Sequence, residues 1–195
     1  MVYIVDDDAG VRDSLEILLR LHGYVTMSFA SGEAFLAWLD EPRTSGVVLL
    51  DLRLPAMNGA QVQAEIAARK LPWPVVILTA HGDVASARNA LKAGASDFIE
   101  KPIQESALLA ALEQGMEQQR AAESDAVRKG DFERRLTRLT PREREVLAMM
   151  VEGRHNREVA QVLGISPRTV EVYKARVMDK LDVERLPDLI RLTLT

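Results

Sequence analysis

Short apolar runs alternate with helical patterns over the first half of the chain, and this alternation constrains the fold more than any other feature. Five runs read as strands: Val2–Val5, Tyr24–Phe29, Val47–Leu50, Val75–Leu78 and Asp97–Ile99. The third run is apolar at every position, as in a strand that is covered on both faces. The alternation predicts an α/β unit with a doubly wound, five-stranded parallel sheet, closed by a helix that begins at about Glu105.

The second half of the chain carries only helical signals. Thr140, Pro141 and Glu143 have the spacing of a helix start with a capping box. Glycines follow two of the predicted helices, and the short turn after Gly164 is typical of a helix-turn-helix. We therefore predict a small all-α unit of four helices, which run from 141 to the Gly at 153, from 157 to 163, from 167 to 181, and from about 187 onward.

A polar segment separates the two patterns. It is rich in Gln, Glu and Arg, and it is predicted to be helical in part with a break at Gly130. The sequence thus predicts an α/β unit at 1–118, a linker at 119–138 and a helix-turn-helix unit at 139–195.

Composition narrows the classes of function. The chain has no cysteine, which excludes disulfides and thiolate zinc sites, and its histidines lack metal-ligand spacing. No apolar run approaches a membrane span and no signal peptide is seen, so we expect a cytoplasmic protein without membrane contact. Residues 139–195 carry 10 basic and 9 acidic side chains, so charge alone is weak evidence for nucleic-acid binding.

Chemically active side chains follow four of the predicted strands. Asp6 and Asp7 follow the first, Asp51 the third, Thr79 the fourth, and Lys101 comes just after the fifth. Ligands of open parallel sheets bind at the carboxyl ends of the strands, so these groups are expected to meet. Clustered carboxylates suit Mg²⁺ or Mn²⁺, and together with a lysine they can neutralise an incoming phosphoryl group.

This arrangement makes Asp51 the predicted nucleophile and phosphoacceptor, with Thr79 and Lys101 as contacts to the phosphoryl oxygens. Each residue also has an ordinary alternative, such as a helix cap for the aspartates or a buried strand end for Thr79. A phosphoaspartyl phosphatase of the haloacid-dehalogenase class uses similar groups. Such an enzyme usually carries a second acid two residues after the nucleophile, whereas here Leu52 and Arg53 follow Asp51.

The motifs Val5-Asp-Asp-Asp8, Leu49-Leu-Asp51-Leu-Arg-Leu-Pro55, Leu78-Thr-Ala80 and Lys101-Pro102 resemble the signature of bacterial response-regulator receiver domains. The resemblance implies that Asp7 and Asp51 bind the metal directly and that Asp6 binds it through water. It also implies that the backbone carbonyl of Arg53 is a further metal ligand. It also implies a cis bond before Pro102 and a switch role for Phe98, which could alternatively be ordinary strand packing.

The motifs Leu139-Thr-Pro-Arg-Glu-Arg-Glu-Val-Leu147 and Ile165-Ser-Pro-Arg-Thr-Val-Glu-Val172 resemble the LuxR-type helix-turn-helix of FixJ/NarL response regulators, in particular the FixJ branch. The helix that starts at Pro167 would enter the major groove. Glu171, Val172 and Ala175 are predicted to face the bases. Further predicted contacts are basic or polar residues that would bind phosphate: Arg168, Thr169, Lys174, Arg176 and Lys180.

The expected function is that of a two-component response regulator, which a histidine kinase phosphorylates on Asp51 to control DNA binding and transcription. Expected partners are double-stranded DNA, the kinase, RNA polymerase if the protein is an activator, and a second copy of the chain when phosphorylated. The protein is not expected to be an enzyme, except that it promotes its own phosphorylation and dephosphorylation. A phosphorylation-independent DNA-binding regulator with an atypical receiver is the alternative, and both dimerisation and relief of interdomain inhibition remain open as mechanisms.

Overall fold

The chain forms two units, Met1–Glu123 and Ser124–Thr195, each with its own apolar core. The structure is a computed structural model that describes residues 1–40, 44–80 and 84–194, without the side chains of 84–87 and 194. Within those ranges no helix is both long and apolar enough to cross a membrane.

The first unit is a five-stranded parallel sheet in the order β2-β1-β3-β4-β5. Its strands are β1 (Val2–Val5), β2 (Thr26–Phe29), β3 (Val47–Asp51), β4 (Val75–Thr79) and β5 (Asp97–Glu100). The helices between and after them are α1 (Ala9–Leu21), α2 (Gly32–Trp38), α3 (Gly59–Ala68), α4 (Val84–Lys92) and α5 (Glu105–Leu136). The predicted parallel sheet and the start of its closing helix are thereby confirmed.

Both faces of the sheet are covered. Val48 and Leu50 point towards α2 and α3, whereas Val47 and Leu49 point towards α1 and α5, and all four are fully buried. This explains why the third strand is apolar at every position, since it has no face towards solvent. Burial of each such side chain stabilises the unit by roughly 1.5–3 kcal/mol.

The second unit contains α6 (Pro141–Val151), α7 (Asn156–Leu163), α8 (Pro167–Leu181) and α9 (Leu186–Leu194). These bounds confirm the four predicted helices. The capping box at Thr140 is present, and Ser166 caps α8 with a hydrogen bond from Thr169 N. Gly164 ends α7 in the left-handed conformation with φ of 66°, which a residue without Cβ adopts at little cost and which permits the tight turn into α8.

Helix α5 is longer than predicted. It continues through Gly130 to Leu136, so the predicted break at Gly130 is wrong. A single glycine costs a helix about 1 kcal/mol relative to alanine, and packing of the following turn outweighs this cost, because Phe132 is only 5% exposed in the core of the second unit. The predicted linker is therefore helix over most of its length.

Candidate functional site

Three carboxylates meet at the carboxyl edge of the sheet. β1 and β3 are neighbours, and their ends place Asp6, Asp7 and Asp51 so that one carboxylate oxygen from each lies within 4.8 Å of the others. Asp6 and Asp51 are buried, whereas Asp7 is exposed. We call these three residues the acidic cluster. An all-oxygen set that opens to solvent on one side is the kind of site that Mg²⁺ or Mn²⁺ occupies while keeping some of its water ligands.

Lys101 joins two members of the acidic cluster. Its ammonium nitrogen lies 2.7 Å from Asp6 Oδ2 and 2.7 Å from Asp51 Oδ2. The backbone amide of Lys101 donates to the carbonyl of Thr79 at 2.8 Å, and the bond to Pro102 is cis, as the resemblance implies. The lysine therefore brings the end of β5 to the same point as the ends of β1 and β3.

Burial and the contacts between Lys101 and the carboxylates act in opposite directions on the pKa values at this edge. Burial raises the pKa of Asp6 above the ordinary value of 3.8, although the hydrogen bond from Lys101 acts in the opposite direction. For Lys101 burial alone would lower the pKa, but the hydrogen bonds to Asp51 and Asp6 outweigh it, and the pKa is raised. One ammonium cannot neutralise three carboxylates, so the acidic cluster keeps an excess of negative charge that a divalent cation would offset.

The carboxylate of Asp51 is held from two sides. Its Oδ1 accepts from the backbone amide of Arg53 at 3.0 Å, and its Oδ2 accepts from Lys101. The backbone of Asp51 also meets the first residue of α3, because a Cβ on Gly59 would lie 2.4 Å from the Asp51 carbonyl oxygen. Gly59 is therefore needed for the close approach of α3 to the end of β3.

Two residues that shape this edge were not predicted. Gly59 belongs to an Asn58-Gly59 pair, a turn signal that could have drawn attention to it. Arg12 lies in the first turns of α1 and donates from Nη1 to the backbone carbonyl of Asp6 at 2.7 Å. A contact to backbone leaves no trace in the sequence pattern, so no signal identified Arg12.

Thr79 and Phe98 differ in their surroundings. Thr79 ends β4 at 2% exposure, and its hydroxyl lies 3.4 Å from the carbonyl oxygen of Ala80. This distance is too long for a strong hydrogen bond, so the hydroxyl retains capacity for another partner. Phe98 lies on the edge strand β5 and is 38% exposed, and among the described side chains it belongs to neither apolar core of the sheet. The switch role of Phe98 stays a prediction.

Helix α8 has one buried and one exposed face. Val170, Val177 and Leu181 are fully buried in the core of the second unit, and Tyr173 packs against it. The predicted contact residues divide by exposure: Arg168, Glu171, Val172, Ala175 and Arg176 are exposed, whereas Thr169, Lys174 and Lys180 are partly buried. An apolar Val172 that is 45% exposed on a charged helix face suits contact with a thymine methyl.

Two predicted contact residues already have partners within the second unit. The amide of Asn156, at the start of α7, donates to Glu171 Oε1 at 3.4 Å. The ammonium of Lys180 lies 2.7 Å from Oε2 of Glu143, whose side chain is only 4% exposed. This hydrogen bond is the main reason why the pKa of Glu143 is held below its ordinary value of 4.5. A contact of Lys180 with DNA stays a prediction.

Both halves of the chain match families of known proteins. Residues 2–113 match the response regulator receiver domain, and residues 137–193 match the bacterial regulatory proteins of the luxR family. The transcriptional regulatory protein FixJ of Rhizobium meliloti (strain 1021) is 43% identical over 193 residues, which cover 99% of this chain and 94% of FixJ. The chain belongs to the FixJ/NarL family of response regulators.

Solved structures of other response regulators have the same fold. StyR matches with a TM-score of 0.77 and 36% identity, over 98% of this chain and 96% of StyR. Full-length FixJ from B. japonicum matches with a TM-score of 0.62 and 38% identity, over 99% of this chain and 95% of FixJ. The family consists of transcriptional regulators rather than enzymes of metabolism, and the two domain types imply a histidine kinase and DNA as partners of this response regulator.

Proposed function

We propose that this response regulator accepts a phosphoryl group on Asp51 from a histidine kinase and that the phosphorylated form binds DNA through α8 to control transcription. The observation that carries the proposal is the position of Lys101, whose ammonium contacts both Asp6 and Asp51 beside the exposed carboxylate of Asp7. A nucleophile, a fixed positive charge and a set of metal-binding oxygens thus share one edge of the sheet.

Transfer begins with a carboxylate oxygen of Asp51 attacking phosphorus. The bond from phosphorus to the imidazole nitrogen of the kinase breaks, its electron pair leaves with the imidazole, and the product is an acyl phosphate on Asp51. Asp6, Asp7, Asp51 and the carbonyl of Arg53 would hold Mg²⁺ or Mn²⁺, which would supply positive charge that stabilises the phosphoryl group during transfer. Lys101 exchanges its contact with the Asp51 carboxylate for one with a phosphoryl oxygen, and the hydroxyl of Thr79 donates to another.

Phosphorylation would thereby change the partners of Lys101 and Thr79 at the ends of two adjacent strands. We propose that Phe98, exposed on β5, responds to this change and that the altered face favours pairing of two phosphorylated copies. Two copies of α8 held about one DNA turn apart would match a two-fold site. An activator of this kind would also contact RNA polymerase.

On DNA, the proposed contact residues of α8 divide into two groups by chemistry. Glu171 can accept from a cytosine amino group, and Val172 and Ala175 can contact a thymine methyl. The remaining proposed contacts go to phosphate and set the position of the helix without reading sequence: Arg168, Thr169, Lys174, Arg176 and Lys180.

The test uses Asp51→Asn in the full chain, because asparagine is nearly isosteric with aspartate but lacks its charge. Asp13→Asn serves as the matched control, since Asp13 is an exposed acid on α1 outside the acidic cluster. After incubation with acetyl phosphate and Mg²⁺, wild type and Asp13→Asn should gain the mass of one phosphoryl group and shift towards dimer. Asp51→Asn should do neither.

The possible outcomes separate the acceptor from the switch. Uptake of phosphate by Asp51→Asn at the wild-type rate would refute the assignment of Asp51. Uptake by wild type without any change in size or in affinity for DNA would leave the acceptor standing and favour a phosphorylation-independent regulator.

A further inference from the structure

The last turn of α5 belongs to the core of the DNA-binding unit, although it lies outside the segment that matches the luxR family. That match begins at residue 137. Phe132 is buried in the apolar core formed by α6 to α9, and Leu136 packs against the same core. The residues between 131 and 136 are therefore more than a connection between two domains.

Arg135, in this last turn, contacts the end of the recognition helix. Its Nη1 donates to the backbone carbonyl of Leu181 at 2.9 Å and lies 3.0 Å from Oδ2 of Asp182. Leu181 is the last residue of α8, and Asp182 caps it in the left-handed conformation with φ of 55°. The carbonyls in the last turn of a helix have no partner within the helix, so a guanidinium at this position satisfies one of them and complements the negative end of the helix dipole.

A second contact holds the same end of α8 from another side. Lys180 is bound to Glu143, whose other hydrogen bond closes the capping box at the start of α6. Lys180 also reaches the carbonyl of Arg138 at 3.4 Å. The last three residues at this end, from Lys180 to Asp182, are thus fixed by α5 through Arg135 and by α6 through Glu143.

We propose that Arg135 is a positioning residue for sequence-specific DNA binding, acting by holding the C-terminal end of α8 in the register that its base contacts require. The inference rests on the proposed function, in which α8 reads the major groove. Hydrogen bonds to base edges demand a fixed helix position, whereas long basic side chains reach phosphates from a range of positions. Loss of the Arg135 contacts should therefore impair recognition of the correct sequence more than attraction to DNA in general.

The experiment compares Arg135→Gln with Arg134→Gln in the full chain. Both variants remove one positive charge from the same turn of the same helix. Arg134, however, has a side chain that is 77% exposed and pairs with Asp131 on its own helix. Affinity is measured for a duplex selected from a random library by the wild-type protein and for a scrambled duplex of equal length, at one fixed salt concentration.

We expect Arg135→Gln to lower the ratio of specific to non-specific affinity by about tenfold, in the lower part of the range for one base contact. Arg134→Gln should weaken both affinities alike and leave the ratio unchanged. Circular dichroism at the temperature of the binding assay shows whether each variant stays folded, so a fall in the ratio with an unchanged spectrum reports position rather than stability. Arg135→Lys, which keeps a donor for the carbonyl of Leu181, should restore part of the ratio.

An unchanged ratio in Arg135→Gln would overturn the inference, and so would an equal fall in Arg134→Gln. A second variant, Asp182→Asn, removes the charged partner of Arg135 while keeping a residue that adopts the left-handed conformation readily. It should lower the ratio in the same direction by a smaller factor. If wild type failed to prefer any sequence, the proposed function itself would fail, which is a different result from a preference that Arg135 does not affect.

Discussion

Lys180 has two candidate roles, as a contact to DNA phosphate and as the partner of Glu143 in an ion pair. As a phosphate contact, Lys180 would contribute to DNA binding, whereas in the structure it stabilises the DNA-binding unit by neutralising a buried carboxylate. Replacing Lys180 with Met keeps the length of the side chain and removes the charge. We expect the main effect of Lys180→Met to be a loss of stability in this unit.

The magnitude follows from the surroundings of the pair. Breaking a buried ion pair by removing one partner costs about 3–5 kcal/mol. This cost is reduced here, because the side chain of Lys180 is 33% exposed and Glu143 keeps its hydrogen bond from the backbone amide of Thr140 at 2.8 Å. We therefore expect a loss of about 2 kcal/mol, which for a unit of this size lowers the melting temperature by about 10 °C.

The chain provides a built-in control for the assay. Its two tryptophans, Trp38 and Trp73, both lie in the first unit. Tryptophan fluorescence therefore follows unfolding of the receiver, while circular dichroism at 222 nm follows the helices of both units. Unfolding of the second unit is detected by circular dichroism but not by fluorescence, and Lys180→Met should lower the melting temperature of that transition. The melting temperature measured by fluorescence should stay unchanged.

The pH dependence has a defined sign. The pKa of Glu143 is depressed in the folded protein, mainly by Lys180, so the pair stabilises the fold above pH 4.5 and loses this contribution as the pH falls below it. The difference in stability between wild type and Lys180→Met should accordingly shrink in acid. The reasoning is refuted if Lys180→Met melts like wild type at neutral pH while its DNA binding loses as much salt dependence as that of Arg176→Ala.

Four further substitutions test other parts of the structure. In urea unfolding, Gln63→Met should leave the stability of the receiver unchanged or raise it by about 1 kcal/mol. The buried Oε1 of Gln63 has no hydrogen-bond donor among the described residues, so its removal costs nothing. The carbonyl of Ala90, which accepts from the amide of Gln63, also accepts from backbone amides and keeps those partners. Gly59→Ala should destabilise the receiver by about 1–3 kcal/mol and slow the gain of phosphoryl mass from acetyl phosphate, because its Cβ would collide with the backbone of Asp51. In selection from random DNA, Glu171→Ala should change the preferred sequence, whereas Arg176→Ala should keep it and reduce the salt slope by about 1.

Sequence patterns were sufficient for the sheet because both faces of it are buried. The apolar run of β3 indicated a strand covered on both faces but not the strand order. The aspartates after β1 and β3 were nevertheless placed at one edge by the general geometry of parallel strands. The second strand begins two residues later than predicted. The amide of Tyr24 bonds to the carbonyl of Leu19 in α1, a contact that strand propensity does not reveal.

Features that depend on contacts between distant residues escaped the sequence. The pairing of Lys180 with Glu143 joins residues 37 positions apart, and the contact of Arg135 with Leu181 spans 46. Exposed lysines and arginines on a helix look alike in sequence, whether they bind phosphate or hold another helix end. The continuation of α5 through Gly130 was missed for a related reason, since the burial of Phe132 in another core offsets the local weakness.

The length of α5 has a consequence for building chimeric regulators. If this output domain is grafted onto another receiver, the start of the family match at residue 137 suggests itself as the junction. That junction would omit Phe132 and Arg135 from the transferred segment. Residues 123 to 129 are all exposed along the helix. A junction placed within that stretch separates no buried side chain from its core, and it transfers α8 together with the turn of α5 that contacts its end.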